Sequence, residues 1–155
     1  MTVVVDACLA LKWALEEEDT KEALARWDRW QDAAEEVIAP PIFRSEITNV
    51  LYRRVRRAQM RPADATAILK FLINIVAISE PSALYDRALT LASALSQGSA
   101  YDTLYLALAE LRDCERWTAD RRFVRSAQTQ FPRVRWIGER RGGSVAQAHS
   151  TPPKR

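Results

Sequence analysis

The sequence predicts an α/β domain: a central parallel sheet of four to five strands with helices on both faces. Three observations carry this. Thr2-Val3-Val4-Val5-Asp6 reads as a short strand buried on both faces that ends abruptly in a carboxylate. Short strand-like runs then alternate with helical stretches along the whole body, the pattern of parallel sheets with right-handed crossovers. The length, 155 residues, suits one domain with a sizeable core, and no internal repeat divides it.

Residues 7–15 follow the first strand as a helix, so Asp6 stands at a strand-to-helix junction. Glu16-Glu17-Glu18-Asp19 reads as a solvated acidic turn. Thr20 to Ala34 is expected to be helical, with Leu24, Trp27 and Trp30 or Gln31 on its inner side. Val37-Ile38-Ala39 is the second strand. Pro40-Pro41 stops it and opens a helix, since proline fits a first helical turn. Phe43, Ile47, Val50 and Leu51 form the apolar stripe of that helix, while Glu46, Asn49 and Arg53 share a polar side. Arg53, Arg54, Arg56, Arg57 and Arg61 give it a dense basic end, which suits both the helix macrodipole and a nucleic-acid or protein partner.

A helix from Pro62 to about Asn74 leads to a third strand, Ile75-Val76-Ala77-Ile78. Ser82 to Leu95 is a helix with Leu84, Ala88, Leu91, Ala92 and Leu95 inward. Gly98-Ser99-Ala100-Tyr101-Asp102 breaks the chain before a further helix that buries Leu104, Tyr105, Leu108 and Leu111. There Ser99 and Asp102 match the three-residue offset of a capping arrangement. Arg116-Trp117-Thr118 is the fourth strand, Arg121 to Thr129 a helix, and Val134 to Ile137 a fifth, edge strand. The body is read as residues 1–137. Residues 138–155 read as a disordered basic tail that carries His149, the sole histidine.

The formal charge of +3 is unevenly placed. Residues 1–39 hold ten acids and four bases, net −6, and residues 40–138 hold nine acids and fifteen bases, net +6. The body is therefore bipolar, which is compatible with an acidic mouth and basic surfaces nearby. No apolar run approaches the ~20 residues of a membrane span. The N-terminal residues lack the pattern of a secretory signal, and Cys8 and Cys114 have no metal spacing. A cytoplasmic protein with reduced thiols is expected.

Asp6, Glu46 and Asp120 each follow a strand, so they collect at the sheet edge where parallel α/β folds bind ligands. Asp102 follows a helix, so that rule does not dictate its placement there. Each of the four also suits a helix start, where Asp and Glu cap or favour the dipole. Taken together they form a site. Clustered carboxylates repel one another unless a cation joins them, and oxygen-only ligands favour Mg²⁺ or Mn²⁺ over zinc. Such a site supports in-line displacement at phosphorus. A single histidine near the C-terminus disfavours Ser-His-Asp or Cys-His chemistry, and no Gly-rich phosphate loop is present.

Four stretches carry a resemblance. Val-Val-Val-Asp6, Arg-Ser-Glu46-Ile-Thr-Asn-Val-Leu, Ser-Ala-Tyr-Asp102-Thr-Leu-Tyr-Leu and Trp-Thr-Ala-Asp120-Arg-Arg-Phe resemble, in order and spacing, the four acidic motifs of the PIN-domain family. The size is similar to its VapC-type toxins, the ribonuclease halves of bacterial toxin–antitoxin pairs. The resemblance covers residues 2 to about 137 and implies a three-layer α/β/α sandwich. It implies Asp6 and Asp102 as main metal ligands, with Glu46 and Asp120 holding the ion directly or through water. It further implies Mg²⁺- or Mn²⁺-dependent cleavage of RNA, a homodimer, and neutralisation by a small antitoxin protein. Thr118 matches the family's hydroxyl residue two before the last acid, and the resemblance implies that it supports the metal ligands from behind or positions a water. Arg121, Arg122 and Phe123 stand where some members carry a further acid. Arg121, Arg122 and Arg44 are candidates for RNA phosphates.

A domain that binds RNA or a protein without cutting is the alternative. It gains nothing from gathering negative charge beside phosphates. A receiver domain fits poorly, since no lysine follows the fifth strand, and the chain is short for a structure-specific 5′-nuclease acting on DNA.

Overall fold

The computed structural model describes residues 1–96 and 100–139. The Ser99 partner expected for Asp102, and the tail from 140 onward with His149, lie outside the described residues.

The expected alternation is present. β1 (Thr2–Val5), α1 (Ala7–Leu11), α2 (Thr20–Asp32) and β2 (Glu36–Ala39) open the chain. α3 (Ile42–Arg56), α4 (Pro62–Ile75), β3 (Ala77–Ile78) and α5 (Leu84–Ala94) follow. α6 (Tyr101–Leu111), β4 (Glu115–Thr118), α7 (Arg121–Ala127) and β5 (Val134–Trp136) complete it. The five strands form one sheet in the order β3-β2-β1-β4-β5, every pairing parallel. The chain builds outward from β1 in one direction and then returns to add β4 and β5 on its other side. The crevice between the carboxyl ends of β1 and β4 is thus the topological switch point. Right-handed crossovers running in opposite directions place their helices on opposite faces, which gives three layers.

β1 sits at the centre, and Val3, Val4 and Val5 are all buried. Burying each such side chain is worth about 1.5–3 kcal/mol. Strand alternation then divides β4. In the register Val4↔Arg116 and Val5↔Trp117, Arg116 and Thr118 face one way and Trp117 the other. On the Trp117 side α2 brings up Trp30, with ring centroids 5.9 Å apart. Trp13 extends this aromatic slab, 6.3 Å from Trp30 and 4.7 Å from Trp27. On the Arg116 side lie Tyr105 from α6 and Phe123 from α7.

Several local expectations need correcting. The first helix stops at Leu11 rather than Leu15, because Trp13 turns aside to donate its indole N–H to the Ala23 carbonyl at 3.2 Å. The following acidic turn is built, not loosely solvated. The Thr20 hydroxyl accepts from the Glu17 N–H at 2.9 Å and donates to the Leu15 carbonyl at 3.0 Å. Lys12 donates to the Glu18 carbonyl at 2.5 Å, and Glu17 pairs with both Lys12 and Arg54. The inner face of α2 is Ala23, Arg26 and Trp30, with Leu24 exposed, because Arg26 lies on the Trp117 ring at 3.9 Å. α6 buries Leu106 and leaves Leu111 exposed. β3 starts two residues later than expected, since α4 continues through Ile75.

Gly138 and Glu139, read from sequence as the start of the tail, pack on the body. The Glu139 carboxylate accepts from Gln128 at 2.8 Å, and its carbonyl accepts from Arg26 at 3.3 Å. A Cβ at Gly138 would come within 2.3 Å of the Trp136 ring, so only glycine fits there without a shift.

Candidate active site

β1 delivers Asp6 to the crevice. Its extended backbone makes it the N-cap of α1, and Oδ1 accepts the Leu9 N–H at 2.9 Å. Asp120 does the same after β4: its Oδ1 accepts from the Arg122 and Phe123 N–H groups at 2.8 and 3.1 Å. Glu46 projects from the second turn of α3 and accepts a hydrogen bond from the Tyr105 hydroxyl. Asp102 stands in the first turn of α6. All four side chains line one open cleft of ≈650 Å³, with Ser45, Asn49 and Arg53 continuing the polar side of α3 along its wall.

Crowding shows in the electrostatics. Burial pushes the Asp6 carboxyl above the ordinary carboxylate range, with Arg116, Thr118 and the Leu9 N–H acting against the rise and Asp102 adding to it. Glu46 is raised as well, first by burial, then by Asp6 and Asp102, with the Tyr105 hydroxyl opposing. Burial, followed by Glu46, holds the Tyr105 phenol above its usual value. Thr118 is fully buried behind the cleft. Its hydroxyl accepts from the Asp120 N–H at 3.0 Å and favours the ionised form of Asp6.

The PIN domain family profile matches residues 3–128. The chain is a member of the PIN domain family. Two curated relatives, VapC ribonuclease Mb0985 of Mycobacterium bovis and ribonuclease VapC9 of Mycobacterium tuberculosis, are each 31% identical over 131 residues. The match spans 84% of this chain and 94% of theirs. Among solved structures, PAE2754 from Pyrobaculum aerophilum superposes with a TM-score of 0.67 at 22% identity, covering 88% of this chain and 92% of that one. VapBC2 from Rickettsia felis, bound to a promoter DNA fragment, gives 0.65 at 10% identity over 88% and 97%. VapC20 of Mycobacterium tuberculosis, a toxin that cleaves the sarcin-ricin loop, gives 0.59 at 16% identity over 81% and 95%. These likenesses establish the fold.

Within this PIN domain the four expected acids share one cleft, yet their oxygens are not drawn into a closed ligand shell. Among the described residues, no group of three or more His, Cys, Asp or Glu side chains is gathered tightly enough to hold a metal ion. The reason lies in their other commitments. Oδ1 of both Asp6 and Asp120 caps a helix, and one Glu46 oxygen is taken by Tyr105. Arg116 reaches both Asp6 and Asp102.

Arg116 is the site residue that sequence reasoning did not single out. Its signal was present: an arginine at an interior strand position, two residues before Thr118 and so on the same face. Glu17, expected in a solvated turn, also lines the cleft, with Arg54 and Lys12 beside it. Of the arginines considered for RNA, Arg121 pairs with Asp19 at 3.7 Å and covers the Trp136 ring at 4.1 Å. Arg44 lies outside the cleft lining, whereas Arg53 is in it. Both cysteines are free. The Cys8 thiol at the cleft is pushed up to about 12, chiefly by desolvation and then by Asp6, so it stays protonated.

Proposed function

We propose that this chain is a metal-dependent endoribonuclease that hydrolyses RNA phosphodiester bonds as the toxin of a type II toxin–antitoxin pair. The observation that carries the reading is the convergence of Asp6, Glu46, Asp102 and Asp120 on one cleft at the switch point of the sheet. The VapC ribonuclease relatives support the choice of RNA.

The donor set fits a hard divalent cation such as Mg²⁺ or Mn²⁺, because it is all oxygen and carries four negative charges. The second oxygens of Glu46, Asp102 and Asp120 carry no protein hydrogen bond among the described residues and are available to an ion. Asp6 and Asp102 are assigned as main ligands, and Glu46 and Asp120 as direct or water-linked ones. A divalent ion held there would supply Lewis acidity and ease deprotonation of the attacking water for displacement at phosphorus.

The protein's own residues do the rest. Asn49 and Arg53 line the wall along which an RNA backbone passes, and Arg53 meets a phosphate. Thr118 is a positioning residue, since it is sealed from the cleft and fastens Asp120 to the end of β4 beside Asp6. Among the described residues no helix is long and apolar enough to cross a membrane. A cytoplasmic homodimer neutralised by a cognate antitoxin completes the reading.

The test is cleavage of a structured RNA by wild type, Asp6→Asn and Asp102→Asn, with Mg²⁺ or Mn²⁺ and with EDTA. Metal-dependent cleavage lost in both variants is expected. Cleavage undiminished in a folded Asp6→Asn protein refutes the assignment. RNA binding that survives EDTA without any cleavage would favour the non-cleaving alternative.

A further inference from the structure

The largest fully buried side chain among the described residues is that of Arg116, which lies behind the acidic cleft, against Asp6 and Asp102 of its lining. One of its nitrogens, Nη2, lies 3.4 Å from Asp6 Oδ2 and 3.3 Å from Asp102 Oδ1. A second, Nη1, donates to the Asp102 backbone carbonyl at 2.7 Å. The guanidinium lies on the Phe123 ring at 3.8 Å, with the Tyr105 ring 5.4 Å away.

Two features set this arrangement apart from an ordinary buried ion pair. A fully desolvated arginine is costly unless tightly paired, and strong charge-assisted bonds run near 2.7–2.9 Å. Both carboxylate contacts here are longer, and a single nitrogen is shared between acids from two separate elements. That is how a cation sits among ligands that are not dedicated to it. Its tethers are unequal too. The bond to the carbonyl and the Phe123 ring hold the guanidinium in place, while the Asp102 side chain is 48% exposed and meets it only at 3.3 Å.

We propose that Arg116 is a resident counter-ion of the acidic cleft. It bridges Asp6 and Asp102 in the metal-free protein, and an arriving divalent cation takes those carboxylates from it while Arg116 itself stays in the fold. The inference rests on the metal-site reading above. It accounts for two observations at once: the four acids coexist in one cleft of a folded chain, and they are not drawn together there into a ligand shell. Arg116 acts as a positioning residue that competes with the metal. Removing its charge makes the cleft more negative, so the cleft holds a divalent ion more tightly.

The experiment measures Mn²⁺ binding by the full chain, from the electron paramagnetic resonance of free Mn²⁺. Wild type, Arg116→Met and Arg116→Lys are compared, with thermal melts in EDTA and in Mn²⁺. Arg116→Met is expected to bind Mn²⁺ on the order of tenfold more tightly, given the size of a single nearby charge. Its melting temperature should fall in EDTA and rise with Mn²⁺ by more than that of wild type. Arg116→Lys, which keeps the charge, should return toward wild-type affinity. A folded Arg116→Met protein with unchanged or weaker Mn²⁺ binding overturns the proposal, as does an equal gain in both variants. If Arg116→Met folds in neither buffer, the wild-type arginine side-chain resonances followed during a Mg²⁺ titration decide. Arg116 signals that move with Mg²⁺ occupancy support the exchange, and signals unmoved at saturation refute it. Wild type that binds no Mn²⁺ removes the metal-site reading itself.

Discussion

Arg26 and Arg116 are both buried, and each lies against an aromatic ring, at 3.9 Å from Trp117 and 3.8 Å from Phe123 respectively. They stand on opposite faces of the sheet, on either side of β4. Arg26 donates to the carbonyl of Glu139 and so clasps the last described segment to the tryptophan slab. Arg116 turns its charge toward two carboxylates at the crevice. The same residue type with the same stacking does two different jobs. The alternation of one short strand decides which: odd positions of β4 serve the slab, even positions serve the cleft.

This division is open to attack by substitution. The largest effect is expected on the cleft side, where Asp6→Asn or Asp102→Asn should lower RNA cleavage by about 10²-fold or more, on the scale of losing one electrostatic partner of a transition state. Circular dichroism and single-turnover assays would establish whether fold and activity separate. Next comes Thr118→Val, which keeps shape but loses the hydroxyl between Asp120 and Asp6. It should reduce cleavage by about tenfold, as losing an outer support of a metal ligand does. Wild-type activity from this variant would remove Thr118 from the machinery.

Arg26→Met on the slab side should cost about 1–3 kcal/mol in urea unfolding, from the lost ring contact and hydrogen bond. That loss should be the same with and without Mn²⁺, and cleavage per folded molecule should not change. A metal-dependent loss at Arg26 would mean the faces are coupled after all. The smallest effect is expected from Tyr105→Phe, which frees Glu46 but keeps the ring beside Arg116. A change of only a few-fold in Mn²⁺ affinity is anticipated, since one hydrogen bond is worth about 1 kcal/mol. Mn²⁺ titration of the variant checks it.

The strands and helices were legible because their punctuation is local. Three valines ending in Asp6, Pro40-Pro41, and Pro62 at the start of α4 each act within a few residues. The common cleft of Asp6, Glu46 and Asp120 was legible too, because strand ends in a parallel sheet share an edge, whereas Asp102 follows a helix and lay outside that rule. Side-chain commitments were not. Trp13, Trp27, Trp30 and Trp117 form one slab only after α2 has packed on β4, and no local pattern announces that partnership. Leu24 looked inward because it is apolar. Arg26 displaced it because an arginine stem with a stacked guanidinium fills a buried site as well as leucine does. Arg116 was hidden for the same reason, since a cation in a strand reads as surface until its neighbours prove to be anions.

The insertion of β4 beside β1 has a consequence for synthesis. Asp6 and Arg116 are 110 residues apart in the chain but adjacent in space. At ordinary rates of translation, roughly 5–20 s pass between the emergence of one and the other. Throughout that interval the growing polypeptide owns its first acid but neither its fourth strand nor its last acid, so it has no assembled blade. Until β4 emerges, the nascent chain cannot close the cleft in which its acids meet.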